Sequence, residues 1–156
     1  MSEESIPSQR PFMPSPADPS RRFSVVLLTI YSIENAGIRY VSAALKREGV
    51  DTTIVFLRDW VHNRLTMPSD AEFDRAISII REKKADLVGI GFMSSLLPMA
   101  RELTERIRRS VPDAPVVWGG IHPTSDPEGS IVDVDYVCRG EGEVATIELV
   151  QALSEG

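Results

Sequence analysis

The sequence predicts an α/β protein built from a parallel β-sheet with helices on both of its faces. Two observations lead to this fold class: short continuous apolar runs recur along the chain, and segments with helical periodicity lie between them. The run FSVVLLTI at 23–30 has no polar face, which is typical of a strand buried on both sides. Strands that alternate with helices form parallel sheets through right-handed crossovers, and the helices then cover both faces.

The other strands are indicated by the same kind of apolar run. DTTIVFL at 51–57 and DLVGIGF at 86–92 repeat the pattern of the first strand, and APVVW at 114–118 and DYVCR at 135–139 are shorter examples. These segments predict a five-stranded, doubly wound parallel sheet with the strand order 2-1-3-4-5. That order is the flavodoxin-like or Rossmann-like arrangement.

The helix boundaries follow from residues that favour helix ends. Gly49 closes the first predicted helix, because glycine readily adopts the left-handed conformation found there. Ser69 and Glu72 form a capping box that opens the second helix. Pro98 suits the first turn of a third helix, since its missing N–H is not needed at that position. The predicted helices cover 35–48, 69 to about 84, a segment that begins at Pro98, and 143–154.

A sheet of this order also predicts where a ligand binds. In open α/β sheets, ligands lie beyond the carboxyl ends of the strands, at the switch point between strands 1 and 3. The candidate site is therefore expected in the four loops that leave this edge of the sheet, at 31–37, 93–97, 119–128 and 140–143.

Composition and charge limit the class of partner. The formal net charge of −6, with no compensating basic stripe, argues against nucleic acid. No apolar run approaches the roughly 20 residues that span a membrane. The N-terminus lacks the apolar core of a signal peptide, so no membrane partner and a cytoplasmic location are expected. Residues 1–22 are rich in proline and poor in apolar side chains, which predicts a disordered leader before one domain at 23–156.

The loops exclude several classes of binding site. A dinucleotide fingerprint needs G-x-G-x-x-G after strand 1, whereas 31–37 contains one glycine, and no G-x-x-x-x-G-K-[ST] motif exists in the chain. A phosphoacceptor receiver needs an Asp at the end of strand 3, where Met93 and Ser94 stand. A small flavin or nucleotide binder that uses the same edge remains as a weaker alternative.

Small residues mark three neighbouring strand ends. Ser94 and Ser95 follow strand 3, the Gly119–Gly120 pair follows strand 4, and two glycines flank Glu141 after strand 5. Any one of these glycines can be explained by turn formation alone. Three small-residue ends side by side predict a shallow trough in which a backbone can approach a large planar ligand closely.

The same residues resemble a known family, the cobalamin-binding domain of cobalamin-dependent radical SAM enzymes. The wider superfamily has D-x-H-x-x-G after strand 1, S-x-L after strand 3 and G-G after strand 4. Ser94-Ser95-Leu96 and Gly119-Gly120 match the second and third patterns, and GGIHPTSDPE followed by VDYVCRGEGE is typical of the radical SAM branch. In the first pattern Gly37 is kept, whereas Glu34 stands at the position of the cobalt-ligating histidine and Ser32 at that of its Asp partner.

This resemblance, which covers roughly 23–154, implies a cobalamin cofactor held base-off and without a protein ligand to cobalt. The nucleotide tail would pass against the Gly119–Gly120 strand end, and the Ser94 hydroxyl would hydrogen-bond the displaced base. No metal ligand is expected. The implied cofactor contacts are Ser32, Ile33, Glu34, Asn35, Gly37, Met93, Ser94, Ser95, Leu96, Gly119, Gly120, Ile121, His122, Gly140, Glu141 and Gly142.

The resemblance also implies a partner. The chain would carry a corrinoid or its methyl group for a radical SAM domain in the same or another polypeptide. Radical SAM chemistry needs three cysteines spaced C-x-x-x-C-x-x-C, whereas this sequence has a single cysteine, Cys138. No iron–sulfur site and no catalytic residue are therefore expected within these residues. A cofactor-free interaction or regulatory module of the same fold is the alternative.

Three polar residues at the ligand edge have more than one possible role. His122 could ligate cobalt, contact the cofactor or a neighbouring domain, or be structural, and the last two are favoured over ligation. Glu143 is expected to cap the last helix at its positive end, whereas Glu141 could equally contact ligand hydroxyls.

Overall fold

The computed structural model of the protein describes residues 21–31, 35–57 and 66–155. Five parallel strands pair in the order β2-β1-β3-β4-β5, which confirms the predicted sheet. In chain order, the elements are β1 (Ser24–Thr29), α1 (Ala36–Arg47), β2 (Asp51–Phe56), α2 (Asp70–Glu82), β3 (Leu87–Gly91), α3 (Leu97–Ser110), β4 (Val116–Gly119), α4 (Ile121–Ser125), α5 (Pro127–Ile131), β5 (Tyr136–Val137) and α6 (Gly142–Glu155).

Alternation along the strands divides the core between the two faces of the sheet. Val26 and Leu28 of β1, and Ile30 just after it, pack toward α2 and α3 in a cluster that includes Trp118. Val25 and Leu27 pack on the other face, where α1 and α6 lie. All six residues of β1 are buried, which explains why this strand reads as an uninterrupted apolar run.

The helix ends that the sequence indicates are present. Ser69 and Glu72 form the predicted reciprocal capping box at the start of α2. Asn35, which was predicted as the first residue of the first helix, instead caps α1 by accepting a hydrogen bond from Ile38 N. Pro98 lies in the first turn of α3, after a 3₁₀ turn at Ser94–Leu96. Within the described residues, no helix is both long and apolar enough to cross a membrane.

The segment after β4 differs from the expected loop. It forms two five-residue helices, α4 and α5, before the last strand begins. Asp126 separates them and caps α5, because its side chain accepts a hydrogen bond from Gly129 N. Helices this short carry no periodic apolar stripe, so the hydrophobic periodicity of the sequence does not predict them. β5 is reduced to two residues, although Cys138 N still donates to Trp118 O at 2.8 Å.

The amino end of the described chain is tied to the sheet. The Arg21 guanidinium donates to the Lys84 carbonyl at 3.1 Å and forms an ion pair with Asp86. Asp86 also accepts from Ser24 N, so the pair lies beside the first residue of β1. Arg21 belongs to the segment expected to be a disordered leader, of which residues 1–20 lie outside the described residues.

Candidate ligand cavity at the carboxyl edge of the sheet

A cavity of about 420 Å³ lies between the sheet and helices α1 and α6, open at the carboxyl ends of the strands. It occupies the edge that the strand order predicts for a ligand. Its wall is mostly apolar, with a small number of polar groups, as is usual for small-molecule sites. The lining residues are Leu27, Asn35, Gly37, Ile38, Tyr40, Val41, Gly89, Ile90, Gly91, Val117, Gly119, Gly120, Cys138, Gly140, Glu141, Gly142, Glu143 and Thr146.

The floor of the cavity is made by glycines at the ends of two paired strands. Gly91 of β3 lies opposite Gly119 of β4 in the sheet register. A Cβ placed on Gly91 would meet nothing closer than 3.9 Å, and one placed on Gly119 nothing closer than 3.8 Å, which are ordinary contact distances. No neighbouring protein atom therefore requires glycine at either position. What the missing side chains provide is open space in the cavity.

Two other glycines have protein atoms close to the position that a side chain would take. Gly120 has a φ of +99°, and its Cβ would lie 2.8 Å from the Phe92 carbonyl oxygen. Gly89 lies deeper in β3, where a Cβ would come within 2.8 Å of the Leu27 side chain. These two positions set the close packing of the strand ends, whereas Gly91 and Gly119 leave the space between the strand ends and the helices unfilled.

One threonine holds two of the glycine loops together. The Thr124 hydroxyl donates to Gly120 O at 2.8 Å and accepts from Gly140 N at 2.9 Å. The loops after β4 and β5 are thereby fixed relative to each other at the mouth of the cavity. Thr124 was not among the predicted site residues, because its role depends on the helical turn of α4 that places it between the loops.

Helix α1 forms one wall of the cavity. Asn35 both caps this helix and donates from Nδ2 to the Thr29 hydroxyl at 3.2 Å, which ties the helix start to the end of β1. Ile38 and Val41 present apolar surface, and Tyr40 lies at the mouth with 64% of its surface exposed.

Helix α6 and the residue after β5 form the opposite wall. A Cβ on Gly142 would lie 3.0 Å from Val41 Cγ2, so this glycine permits the close approach of α6 to α1. Cys138 is a half-buried free thiol in the same wall. Burial raises the pKa of the Cys138 thiol above its ordinary value, and the nearby Glu143 carboxylate raises it further. The thiol is therefore kept protonated near neutral pH.

The structure separates the predicted contact residues into three groups. Seven of them line the cavity: Asn35, Gly37, Gly119, Gly120, Gly140, Glu141 and Gly142. Six do not, and these follow β3 or belong to the start of α4: Met93, Ser94, Ser95, Leu96, Ile121 and His122. The remaining three, Ser32, Ile33 and Glu34, lie outside the described residues.

His122 and Ser94 contact each other above the strand ends. His122 Nδ1 lies 3.1 Å from Ser94 Oγ, and the imidazole packs against Phe92 with its ring centroid 5.5 Å away. The histidine is buried, whereas Ser94 remains exposed. In the part of the chain that is described, no group of three His, Cys, Asp or Glu side chains could hold a metal ion.

The cavity-facing residues inside the strands and in α6 were not among the predicted contact residues. Leu27, Gly89, Gly91, Val117 and Thr146 all line the cavity and belong to regular elements rather than to loops. The pair of glycines two residues apart in strand 3 was the available signal, because residues at this spacing face the same side of a sheet.

Comparison with known families identifies the family of this chain. The model of the family described as B12 binding domain matches residues 24–150. The chain belongs to the B12-binding domain family. This confirms the resemblance that the sequence motifs indicated, over nearly the whole of the described domain.

Two curated relatives match part of this B12-binding domain. An uncharacterized methyltransferase of Pyrococcus horikoshii is 34% identical over 93 residues, which are 58% of this chain and 20% of the relative. An anaerobic magnesium-protoporphyrin IX monomethyl ester cyclase of Rubrivivax gelatinosus is 27% identical over 124 residues, 78% of this chain and 21% of the relative. The matched part thus makes up about a fifth of either relative.

Solved structures with the same fold include a cobalamin-binding protein and a CheY-like protein. A cobalamin-binding protein from Desulfitobacterium hafniense superposes with a TM-score of 0.63 at 16% identity, over 85% of this chain and 60% of that chain. A CheY-like protein from Pseudomonas aeruginosa gives a TM-score of 0.62 at 12% identity, over 85% and 99%. At such identities the likeness establishes the flavodoxin-like fold alone.

Proposed function

We propose that this domain binds cobalamin base-off, with the nucleotide tail in the cavity between the sheet and helices α1 and α6. The observation that carries the proposal is the space above Gly91 and Gly119, where a Cβ would meet its nearest neighbours only at ordinary contact distances. Glycines that no packing contact requires, on the floor of a largely apolar cavity, are explained by a ligand that fills the space.

The residues of the cavity suit the base of such a tail. Leu27, Ile38, Val41 and Val117 offer apolar surface to the faces and edges of a flat aromatic group. Burial of that group is favoured by about 25 cal/mol for each Å² of apolar surface removed from water. The Thr124 bridge would hold the two glycine loops at the mouth in a fixed position around the tail.

We further propose that no protein side chain ligates cobalt. Glu34 occupies the position at which the superfamily places its ligand histidine, and a carboxylate is a poor substitute for neutral imidazole. His122 is held by Ser94 and packed on Phe92, away from the cavity wall. Cobalamin, when bound, supplies a cobalt centre able to carry a methyl group.

The reaction that the carrier serves is proposed from the relatives. One relative is named a methyltransferase and the other a cyclase, and in each the matched part is a fifth of the protein. The sequence motifs resemble those of cobalamin-dependent radical SAM enzymes, so the proposed partner is a radical SAM domain in the same or another polypeptide, with this domain as the corrinoid carrier of a methyltransferase-type reaction.

The test is a visible spectrum after separation from free cofactor. The protein is mixed with hydroxocobalamin or with a flavin, passed over a gel-filtration column, and the protein peak is examined. Co-elution of about one corrinoid per chain, with bands of the base-off form, is the expected result. A protein peak without chromophore would favour the cofactor-free module, and a yellow peak would favour the flavin alternative. Gly119→Val, which fills the floor, is expected to abolish co-elution.

A further inference from the structure

Thr146 is a buried residue in the cavity wall whose hydroxyl makes no hydrogen bond to another described residue. Its side chain is only 6% exposed, and it lines the cavity from the second turn of α6. No hydrogen bond joins it to another described residue. In the described part of the chain, every fully enclosed side-chain nitrogen or oxygen has a hydrogen-bond partner, so the Thr146 oxygen is not fully enclosed. The Thr146 oxygen therefore reaches open space, and the space beside it is the cavity.

A second buried helical threonine shows the usual behaviour. Thr104 in α3 is 2% exposed, donates to Ala100 O at 2.8 Å and accepts from Trp118 Nε1 at 3.0 Å. Thr146 has a backbone carbonyl at the equivalent position, that of Gly142, and makes no such bond. A buried hydroxyl without a partner costs free energy unless water or a ligand in the cavity satisfies it.

The other polar side chains of the wall already make hydrogen bonds within the protein, are more exposed to solvent, or are weak hydrogen-bonding groups. Both ends of the Asn35 amide are engaged, with Ile38 N and with the Thr29 hydroxyl. Glu141 and Glu143 lie at the start of α6 and keep contact with solvent, and the Cys138 thiol is a weak hydrogen-bonding group. Thr146 thus provides the strong, uncommitted hydrogen-bonding group deep in an apolar wall.

We infer that Thr146 selects the chemistry of the lower base of the corrinoid, an inference that rests on the proposed function. A benzimidazole displaced from cobalt exposes one ring nitrogen with a free lone pair, and the Thr146 hydroxyl donates to it. An adenine base brings two further ring nitrogens and an exocyclic amino group into the same space. The apolar side chains around Thr146 offer these no partner, and each buried polar group left unpaired weakens binding. The cavity therefore prefers a benzimidazole base to an adenine base.

Equilibrium binding of three corrinoids tests this inference. Cobalamin carries dimethylbenzimidazole, an adeninyl cobamide carries the purine, and cobinamide lacks the base and serves as the reference for the corrin ring. Wild type is expected to bind cobalamin at least about tenfold more tightly than the adeninyl cobamide, the ratio that one buried hydrogen bond gives. Thr146→Val, which keeps the side-chain volume, should weaken cobalamin binding about tenfold and leave cobinamide binding unchanged.

Two further variants control for general effects. Thr146→Ser retains the hydroxyl and should retain the preference for cobalamin. Thr53→Val removes a hydroxyl from β2, whose residue Thr53 pairs with Val26 and does not line the cavity, so it should leave all three affinities unchanged. Circular dichroism establishes that each variant is folded. The preference of wild type for cobalamin over the adeninyl cobamide is measured without any variant.

The outcomes separate this inference from the proposed function. Equal affinity of wild type for cobalamin and the adeninyl cobamide, or cobalamin binding by Thr146→Val within twofold of wild type, overturns the role of Thr146 while corrinoid binding stands. Failure of wild type to bind any of the three corrinoids overturns the proposed function, and the role of Thr146 falls with it.

Discussion

Glycines at the carboxyl edge of the sheet lack a side chain for two different physical reasons. Gly120 has a left-handed backbone, and a Cβ there would collide with the backbone of Phe92. Gly91 has neither constraint, because the nearest atoms to its Cβ position are 3.9 Å away. A glycine that the fold does not need weakens a strand, so its presence at Gly91 indicates a requirement for space.

This distinction predicts opposite effects on stability. Gly91→Val is expected to leave the free energy of unfolding unchanged or to raise it by up to about 1 kcal/mol, because valine favours a strand and fills empty space. Gly120→Ala should lower it by about 1–3 kcal/mol through strain and collision with Phe92. Urea denaturation followed by circular dichroism measures both values. A loss of stability in Gly91→Val as large as that in Gly120→Ala would contradict the account.

The single cysteine gives a chemical probe of the cavity wall. Because burial and Glu143 raise the pKa of Cys138, less of it is thiolate at neutral pH, and the thiolate is the reactive form. Alkylation by iodoacetamide should therefore reach half of its maximal rate at a higher pH in the folded protein than in urea. Glu143→Gln should move that midpoint down, since it removes one of the two causes. A midpoint that is the same in the folded and unfolded chains would refute this description of the wall.

At the scale of elements, the two faces of β4 serve different purposes. Trp118 is fully buried toward α3, where its Nε1 donates to Thr104 Oγ1 at 3.0 Å and its ring meets Phe92 edge-on at 4.9 Å. Its neighbours Val117 and Gly119 face the cavity. Core packing and the lining of the cavity are thus divided between alternate residues of one short strand.

This division predicts that Trp118→Phe affects stability alone. Loss of the hydrogen bond and of ring volume should lower the free energy of unfolding by about 2–4 kcal/mol. Corrinoid affinity should stay within about twofold, because the indole does not line the cavity. Denaturation and binding titrations of the same preparation test both parts. Weakened binding at unchanged stability would instead place Trp118 in contact with the ligand.

The elements that the sequence predicted well are those in which residue type directly indicates burial or a helix end. The buried strands appear as apolar runs, and the ends of α1 and α2 appear as capping residues, so the sheet order and the ligand edge follow. The depth of the cavity does not follow in this way. It depends on Gly91 and Gly119 lying opposite each other and on Thr146 facing them from a distant helix, contacts that only the packed structure defines.

The direction of side chains in the loops after the strands is also not defined by the sequence. Ser94 follows strand 3 at a position expected to face the displaced base, yet its hydroxyl lies beside the His122 imidazole, and neither residue lines the cavity. The direction of a side chain just beyond a strand depends on the turn that follows. The 3₁₀ turn at Ser94–Leu96 and the start of α4 set that direction here.

At the scale of the whole molecule, helices α1 and α6 pack on one face of the sheet and leave the cavity between them. Their close approach at Gly142 and Val41 closes one side, and the glycines of β3 and β4 keep the floor open. The central claim is that cobalamin occupies this space. It requires that corrinoid binding depend on the floor, independently of stability.

The most direct measurement is an equilibrium titration of wild type and Gly91→Val with hydroxocobalamin, followed by absorbance. We expect saturable binding of one corrinoid by wild type, with a spectrum of the base-off form. Gly91→Val should bind at least about a hundredfold more weakly, since filling the floor excludes the tail and costs more than about 2.7 kcal/mol. Equal binding by the folded Gly91→Val variant, or no binding by wild type, would contradict the account.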